Sequence, residues 1–216
     1  MKIIRYKRVH STQDTARRLA EKGTQAGTVV VSETQSCGRG RRGAKWSSGK
    51  GGLWFSIILR PVRAPADTTK ISVHAARVVR DAVRKQTGVT LTIKPPNDLL
   101  YQGKKICGIL TELDAEIDQI HYLIVGIGIN VNNPLEKHLQ GKATSLQQEL
   151  GYAVSRVRLL RRVLQKLDEF YEYLTKGKYE VIRRLWFSHA DIIGKEIVVH
   201  GEREIISGTV LNVDVT

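Results

Sequence analysis

The sequence predicts an α+β fold: a mainly antiparallel, mixed sheet flanked by helices. Three observations carry this expectation. Candidate strands and helices follow one another without the regular strand–helix–strand rhythm of a doubly wound fold. Two apolar runs, 106–113 (ICGILTEL) and 120–130 (IHYLIVGIGIN), flank the acidic turn DAEIDQ and read as an antiparallel hairpin. The 216 residues, 41% of them hydrophobic, suffice for one sizeable core, and no stretch approaches the ~20 consecutive apolar residues of a membrane span.

Taken in order, Ser11 or Thr12 caps a helix running to about Lys22, with Ala16, Leu19 and Ala20 on one face and Gly23 as its stop. Residues 28–32 (TVVVS) are β-branched and short, and read as a buried strand. QSCGRGRRGAKWSSGKGG is too rich in glycine and arginine for a regular element and reads as a loop. LWFSIIL (53–59) is the next strand, ended by the proline-containing link RPVRAPADTT. Residues 69–87 place Ile71, Ala75, Val78, Val79, Ala82 and Val83 at helical spacing, and Gly88 ends the run. VTLTIK then forms a strand that feeds straight into PPNDLL.

Beyond the hairpin, 156–174 read as a long amphipathic helix with Leu160, Leu164, Leu167, Tyr171 and Leu174 inward, and a shorter helix is expected over 178–188. From Lys195 the pattern is β again. A main domain over 1–190 and a small β unit over 191–216 follow as the expected organisation.

The formal charge of +14 favours anionic partners: nucleic acid, nucleotides or an acidic protein. The basic N-terminus MKIIRYKRVHST lacks the apolar run of a signal peptide, so the cytoplasm is the expected location. Two cysteines, Cys37 and Cys107, are too few for a disulfide framework and read as small buried or half-buried residues. The six histidines show neither H-x-x-x-H nor H-E-x-x-H spacing, which argues against a protein-held zinc site.

Gly38, Gly40 and Gly43 match G-x-G-x-x-G after a strand, but no helix opens there. No carboxylate occurs between Glu33 and Asp67, where a dinucleotide site needs its ribose-binding acid. The loop has another use. Between Gln35 and Lys50 lie Arg39, Arg41, Arg42, Lys45 and Lys50 and not one acid. Glycine lets the backbone approach a ligand, arginine grips carboxylate and phosphate in pairs of bonds, and Trp46 adds a surface for stacking.

Three further stations lie beside strands. Lys94-Pro95-Pro96-Asn97-Asp98 follows one, with Pro96 stiffening the turn and Asp98 suited to Mg²⁺ or to accepting a proton. Lys104 and Lys105 precede Ile-Cys-Gly-Ile-Leu-Thr-Glu, and Gly126-Ile-Gly-Ile-Asn130 ends an apolar run. Taken together they point to a small-ligand site with concentrated positive charge. With no Ser-His-Asp, Cys-His or paired-carboxylate arrangement, its chemistry would run by positioning and electrostatics.

The order and wording of these stations resemble biotin–protein ligases. The resemblance rests on SxxD at Ser11 to Asp14, Gln35 through the arginine loop to Trp46, Lys94-x-Pro-Asn-Asp98, Lys105-Ile-Cys-Gly-Ile-Leu-Thr-Glu112 and Gly126 to Asn130. It covers about residues 8–132. It implies the fold shared with class II aminoacyl-tRNA synthetases and a two-step reaction: biotin's carboxylate attacks the α-phosphate of ATP, and a lysine of a biotin carboxyl carrier protein then takes biotin from biotinyl-5'-AMP.

Carried over residue by residue, the biotin contacts are Ser11, Thr12, Gln13, Gln35, Gly38, Arg39, Gly40, Arg41, Lys105, Gly108, Leu110 and Gly126. Arg41, Trp46, Lys94, Asn97, Lys105 and Asn130 would face ATP. Arg41, Lys105, Asp98 and Lys94 would carry the chemistry, with Asp98 near a Mg²⁺ that arrives with ATP. A homodimer through the sheet, no specific nucleic acid and no membrane complete the expectation. The loop 38–50 is expected to order over the adenylate and shelter it from water.

The sequence departs from the family pattern at Pro95, where a tryptophan is usual. The DNA-binding helix-turn-helix of some members has no counterpart before the catalytic motifs, so the monofunctional type is expected. The C-terminal β unit looks cut short. A lipoate–protein ligase is the nearest rival, but Ser48-Gly-Lys-Gly-Gly-Leu-Trp54 lacks the histidine-aspartate that follows the corresponding segment there. A plain nucleic-acid binder would account for the charge but not for PNDLL, GIL-Glu or GIGIN.

Overall fold

In a computed structural model, residues 1–60, 68–94, 97–116, 120–176, 194, 196–200 and 205–211 are described. In chain order the elements are β1 (Lys2–Val9), α1 (Thr12–Glu21), β2 (Thr28–Gln35), the two-residue strands β3 (Gly38–Arg39) and β4 (Lys45–Trp46), and β5 (Leu53–Leu59). There follow α2 (Thr68–Thr87), β6 (Thr92–Lys94), β7 (Asp98–Tyr101), β8 (Lys104–Ala115), β9 (Ile120–Ile129), α3 (Leu146–Leu150), α4 (Arg156–Thr175), β10 (Glu196–His200) and β11 (Ile205–Thr209).

Seven strands form one sheet in the order β1-β2-β5-β9-β8-β7-β6. Only β1 and β2 run parallel; the other neighbours are antiparallel, as an α+β reading requires. The expected hairpin is β8–β9, in a register that sets Gly108 opposite Gly128 and Leu110 opposite Gly126.

The N-terminal segment, read from sequence only as basic, is a full edge strand. VTLTIK is a strand only from Thr92, and DLLY runs antiparallel beside it as β7; Pro95 and Pro96 lie outside the described residues.

Side chains alternate across a strand, so β5, apolar at nearly every position, serves both sides of the sheet. Phe55, Ile57 and Leu59 face the core built with α2 and α4, where Val79, Val83, Leu160 and Val163 pack. Ile58 joins Val30 and Ile124 under Ala16 and Ala20 of α1 on the other side. The helical stripes match expectation: Ile71, Ala75, Val78, Val79, Ala82 and Val83 are buried, as are Leu160, Leu164 and Leu167, while Tyr171 is half-buried. The Leu174 side chain and the helix expected over 178–188 lie outside the described residues.

Helix α1 begins where its cap predicts. Ser11 is the N-cap, and its Oγ accepts from the Gln13 backbone N–H at 3.2 Å. Strands β10 and β11 form a separate antiparallel pair with Ile197, Val198, Ile205 and Ile206 exposed. The boundary expected near 190 falls outside the described residues.

Candidate active site

On the α1 side of the sheet, the positions that would carry bulk are small. Ser56 of β5 pairs with Gly126 of β9, and Gly128 pairs with Gly108 of β8. The hollow so left lies beneath the N-terminus of α1 and is closed from above by the arginine loop. Its floor is therefore largely backbone. A Cβ on Gly126 would strike the Gln13 amide oxygen, and one on Gly128 would come within 2.6 Å of the Trp46 indole nitrogen.

An uncharged network lines the α1 end. Thr12 donates from its backbone N–H and its hydroxyl to Gln35 Oε1, at 2.8 and 3.0 Å. The Gln35 amide donates to Ser48 Oγ at 2.6 Å. Ser56 Oγ lies 2.9 Å from Thr12 Oγ1 and 3.0 Å from Gln13 Oε1, and Gln13 Nε2 donates to the carbonyls of Leu110 and Ile124. Thr12, Gln13, Ser48 and Ser56 are almost entirely removed from water and Gln35 is half-buried, so their mutual bonding is what makes the burial tolerable.

The arginine loop has more regular structure than its composition implies. β3 pairs with β4, setting Gly38 opposite Trp46, and Arg41–Gly43 form a 3₁₀ turn between them, with Arg42 at φ 52°. Arg39 ties this hairpin down: its guanidinium meets Asp14 of α1 and, at 3.3 Å, Glu112 of β8. Glu112 is also held by Arg17 at 2.8 Å. Arg41 instead points across the hollow, donating to Asn97 Oδ1 at 3.2 Å, while the Asn97 amide donates to the Ile109 carbonyl at 2.9 Å.

The opposite wall is an ion pair under an aromatic ring. Lys105 Nζ sits 2.7 Å from Asp98 Oδ1 and 5.1 Å from the centre of the Trp46 ring. Trp46 meets Trp54 edge-on at 6.3 Å, and its indole N–H is buried without a hydrogen-bond partner among the described residues. Arg39, already paired with Asp14 and Glu112, and Arg41, Lys45 and Lys105 thus border a space lined, among the described residues, by one carboxylate, Asp98. Such a balance attracts an anion, and Lys105, with three N–H donors, can keep Asp98 and still grip one. Among the described residues no group of three or more His, Cys, Asp or Glu side chains is placed to hold a metal ion.

The structure brings most of the sequence-identified residues to this one hollow. Ser11, Thr12, Gln13 and Gln35 line one end, Arg39, Gly40, Arg41 and Trp46 the roof, and Asn97, Asp98, Lys105, Gly108, Leu110 and Gly126 the rest. Three do not line it. Gly38 is buried under the Trp46 carbonyl and Ser48. Lys94 is exposed at the end of β6. Asn130 is buried and takes a bond from the Asn133 amide at 3.1 Å. Ser56 and Gly128 were not singled out from sequence. The lone serine in LWFSIIL was the available signal for the first, and the second glycine of GIGIN for the other.

The cysteines separate cleanly. Cys107 is wholly buried, and burial pushes its thiol far up; nearby Lys105 pulls it down only in part. Cys37 is exposed. Iodoacetamide at about pH 8 should therefore alkylate Cys37 and leave Cys107 unmodified until the protein is unfolded, as peptide mass mapping would show. Equal labelling of both in the native protein would contradict this placement.

The chain is similar to known proteins in sequence and fold. Residues 6–130 match the model of the Biotin/lipoate A/B protein ligase family. The bifunctional ligase/repressor BirA of Bacillus subtilis is 37% identical over 98% of this chain, which spans 66% of that relative's length. The biotin–[acetyl-CoA-carboxylase] ligase of Paracoccus denitrificans is 31% identical over 88% of this chain and 82% of its own. Among solved structures, a biotin protein ligase from Aquifex aeolicus in complex with biotin and ATP matches with a TM-score of 0.83 and 32% identity, covering 97% of this chain and 87% of that one.

Proposed function

Since the chain belongs to the biotin/lipoate A/B protein ligase family, we propose that it is a biotin–protein ligase. It activates biotin with ATP to biotinyl-5'-AMP and transfers biotin to a lysine of a biotin carboxyl carrier protein. The observation that carries this reading is the meeting of two unlike surfaces in one hollow: an uncharged amide-and-hydroxyl cradle at α1, and a cationic wall opposite it. The cradle suits a ureido head, which both donates and accepts hydrogen bonds. A dithiolane ring offers these amides and hydroxyls neither a donor nor an oxygen acceptor and so gains nothing from the cradle, which favours biotin over lipoate.

In the first step a biotin carboxylate oxygen bonds to the α-phosphorus of ATP as the bond to the β-phosphate oxygen breaks, releasing pyrophosphate. Both reactants are anions, and Arg41 and Lys105 screen their repulsion. Asn97 orients Arg41, and Trp46 and Lys94 lie on the nucleotide side. Asn130 supports that side by fixing Asn133 and the start of α3, where its carbonyl accepts from the Leu146 N–H. In the second step the acceptor amine attacks the acyl carbon, the acyl–oxygen bond to AMP breaks, and Asp98 takes the amine proton. A Mg²⁺ carried by ATP's phosphates would offset part of their charge, with Asp98, here paired with Lys105, the nearby carboxylate that could help hold it.

A cytoplasmic enzyme acting on a carboxylase carrier domain is the setting we propose. The outer edge of β8 beyond Ile109, which has no strand beside it among the described residues, supports a homodimer built through the sheet. Exchange of labelled pyrophosphate into ATP, with biotin or lipoate supplied, tests the central claim, followed by mass analysis of a carrier domain. Biotin-dependent exchange and a biotinylated lysine are expected. Exchange with lipoate alone, or with neither, would overturn it.

A further inference from the structure

One cation at the hollow has no task in the proposed reaction. Lys45 of β4 lines the space and is itself exposed, so it stands at the mouth. Its partner in the β3–β4 ladder is Arg39, which sets two positive side chains directly opposite one another. Like charges so placed destabilise a strand pair. Arg39 is relieved, because Asp14 and Glu112 both hold its guanidinium. Lys45 is not. No carboxylate pairs with it among the described residues, and Asp98, the carboxylate that lines the hollow, is taken by Lys105. The turn that carries Lys45 is nonetheless closed on itself: the Gly40 N–H donates to the Ala44 carbonyl at 2.6 Å, and the Ala44 N–H to the Arg41 carbonyl at 3.1 Å.

Charge and position together identify the anion that fits. Both reactants of the first step are negative, and Lys105 is half occupied by Asp98, so Arg41 has little help against the carboxylate and the phosphates. The buried cradle at α1 suits the uncharged head of the ligand. The part of ATP that departs in every turnover belongs instead where water reaches. An ammonium on a flexible stem suits that part, since it offers three donors and can follow a leaving group outward.

We infer that Lys45 is a further catalytic residue of adenylation, gripping the β- and γ-phosphates of ATP and the pyrophosphate they become. This rests on the ligase reading, and the two can fail separately. As the bond from the α-phosphorus to the bridging oxygen breaks, its electron pair passes to the departing pyrophosphate. Lys45 meets that growing charge with N–H donors and keeps its own proton. Bound ATP also relieves the opposition of Lys45 and Arg39.

In biotin-dependent exchange, Lys45→Ala should raise the KM for pyrophosphate about tenfold or more, and that for ATP with it. Lys45→Arg should stay within about threefold of wild type. Supplied biotinyl-5'-AMP has no β-phosphate, so its single-turnover transfer to an acetyl-CoA carboxylase biotin carrier domain separates contact with pyrophosphate from a structural role. In Lys45→Ala that transfer should fall no more than about twofold. Unchanged KM values for pyrophosphate and ATP would overturn the assignment. So would a loss of transfer as large as the loss of exchange, which would put Lys45 at the α-phosphate or in the folding of the hairpin. Absence of both exchange and transfer in the wild type would overturn the ligase reading itself.

Discussion

Lys105→Ala is expected to slow biotin-dependent pyrophosphate exchange by about 10²–10³-fold, the scale on which removal of one preorganised charged donor acts. The loss has two parts. The first is the cation itself, fixed between Asp98 at 2.7 Å and the Trp46 ring and aimed into the hollow. The second is what stays behind: the Asp98 carboxylate, only 22% exposed, with its partner gone. A wall that attracted anions would then repel them. The double variant Lys105→Ala, Asp98→Asn removes that carboxylate and should recover part of the exchange rate. Arg41→Ala should also depress exchange strongly, because Arg41 reaches over the same space from the roof. Wild-type exchange in Lys105→Ala would mean that the carboxylate and phosphates meet elsewhere.

Gly126→Val should abolish measurable biotin binding while leaving a folded protein. The added carbon collides with the Gln13 amide oxygen, so Gln13 must give up its bonds to the Leu110 and Ile124 carbonyls or shift α1 as a whole. Either movement disorders the cradle of Thr12, Gln35 and Ser56 at the point where the ligand head would rest. Overpacking of this kind costs about 1–3 kcal/mol, well short of unfolding most domains. Calorimetric titration with biotin and urea unfolding, run side by side, separate the two effects. Undiminished biotin affinity in a stable variant would remove Gly126 from the ligand.

Much of the fold was legible because its strongest signals are local. Apolar periodicity gave α2 and α4, a serine cap gave the start of α1, and two apolar runs about an acidic turn gave β8–β9. β1 was not legible. An edge strand is covered on one side only, and with Lys2, Arg5, Lys7 and Arg8 among its eight residues it reads as a charged terminus. The arginine loop misled in a different way. Its glycines argued for irregular chain, while contacts far away in sequence fold it into a hairpin: Arg39 reaches Asp14 and Glu112, and Arg41 reaches Asn97. Such partners have no local signature. Trp46 likewise finds distant neighbours, its ring lying against Gly108 and Gly128.

A floor made of Gly108, Gly126 and Gly128 also limits how this site can evolve. Glycine is already the smallest residue, so point mutation at these positions can only subtract space. A lineage that came to use a bulkier ligand would have to make room from the roof, where Trp46, Arg41 and the hairpin that carries them can be shortened, repacked or moved. The strand side of the pocket is thus a fixed datum, and divergence in ligand choice is channelled into the loop.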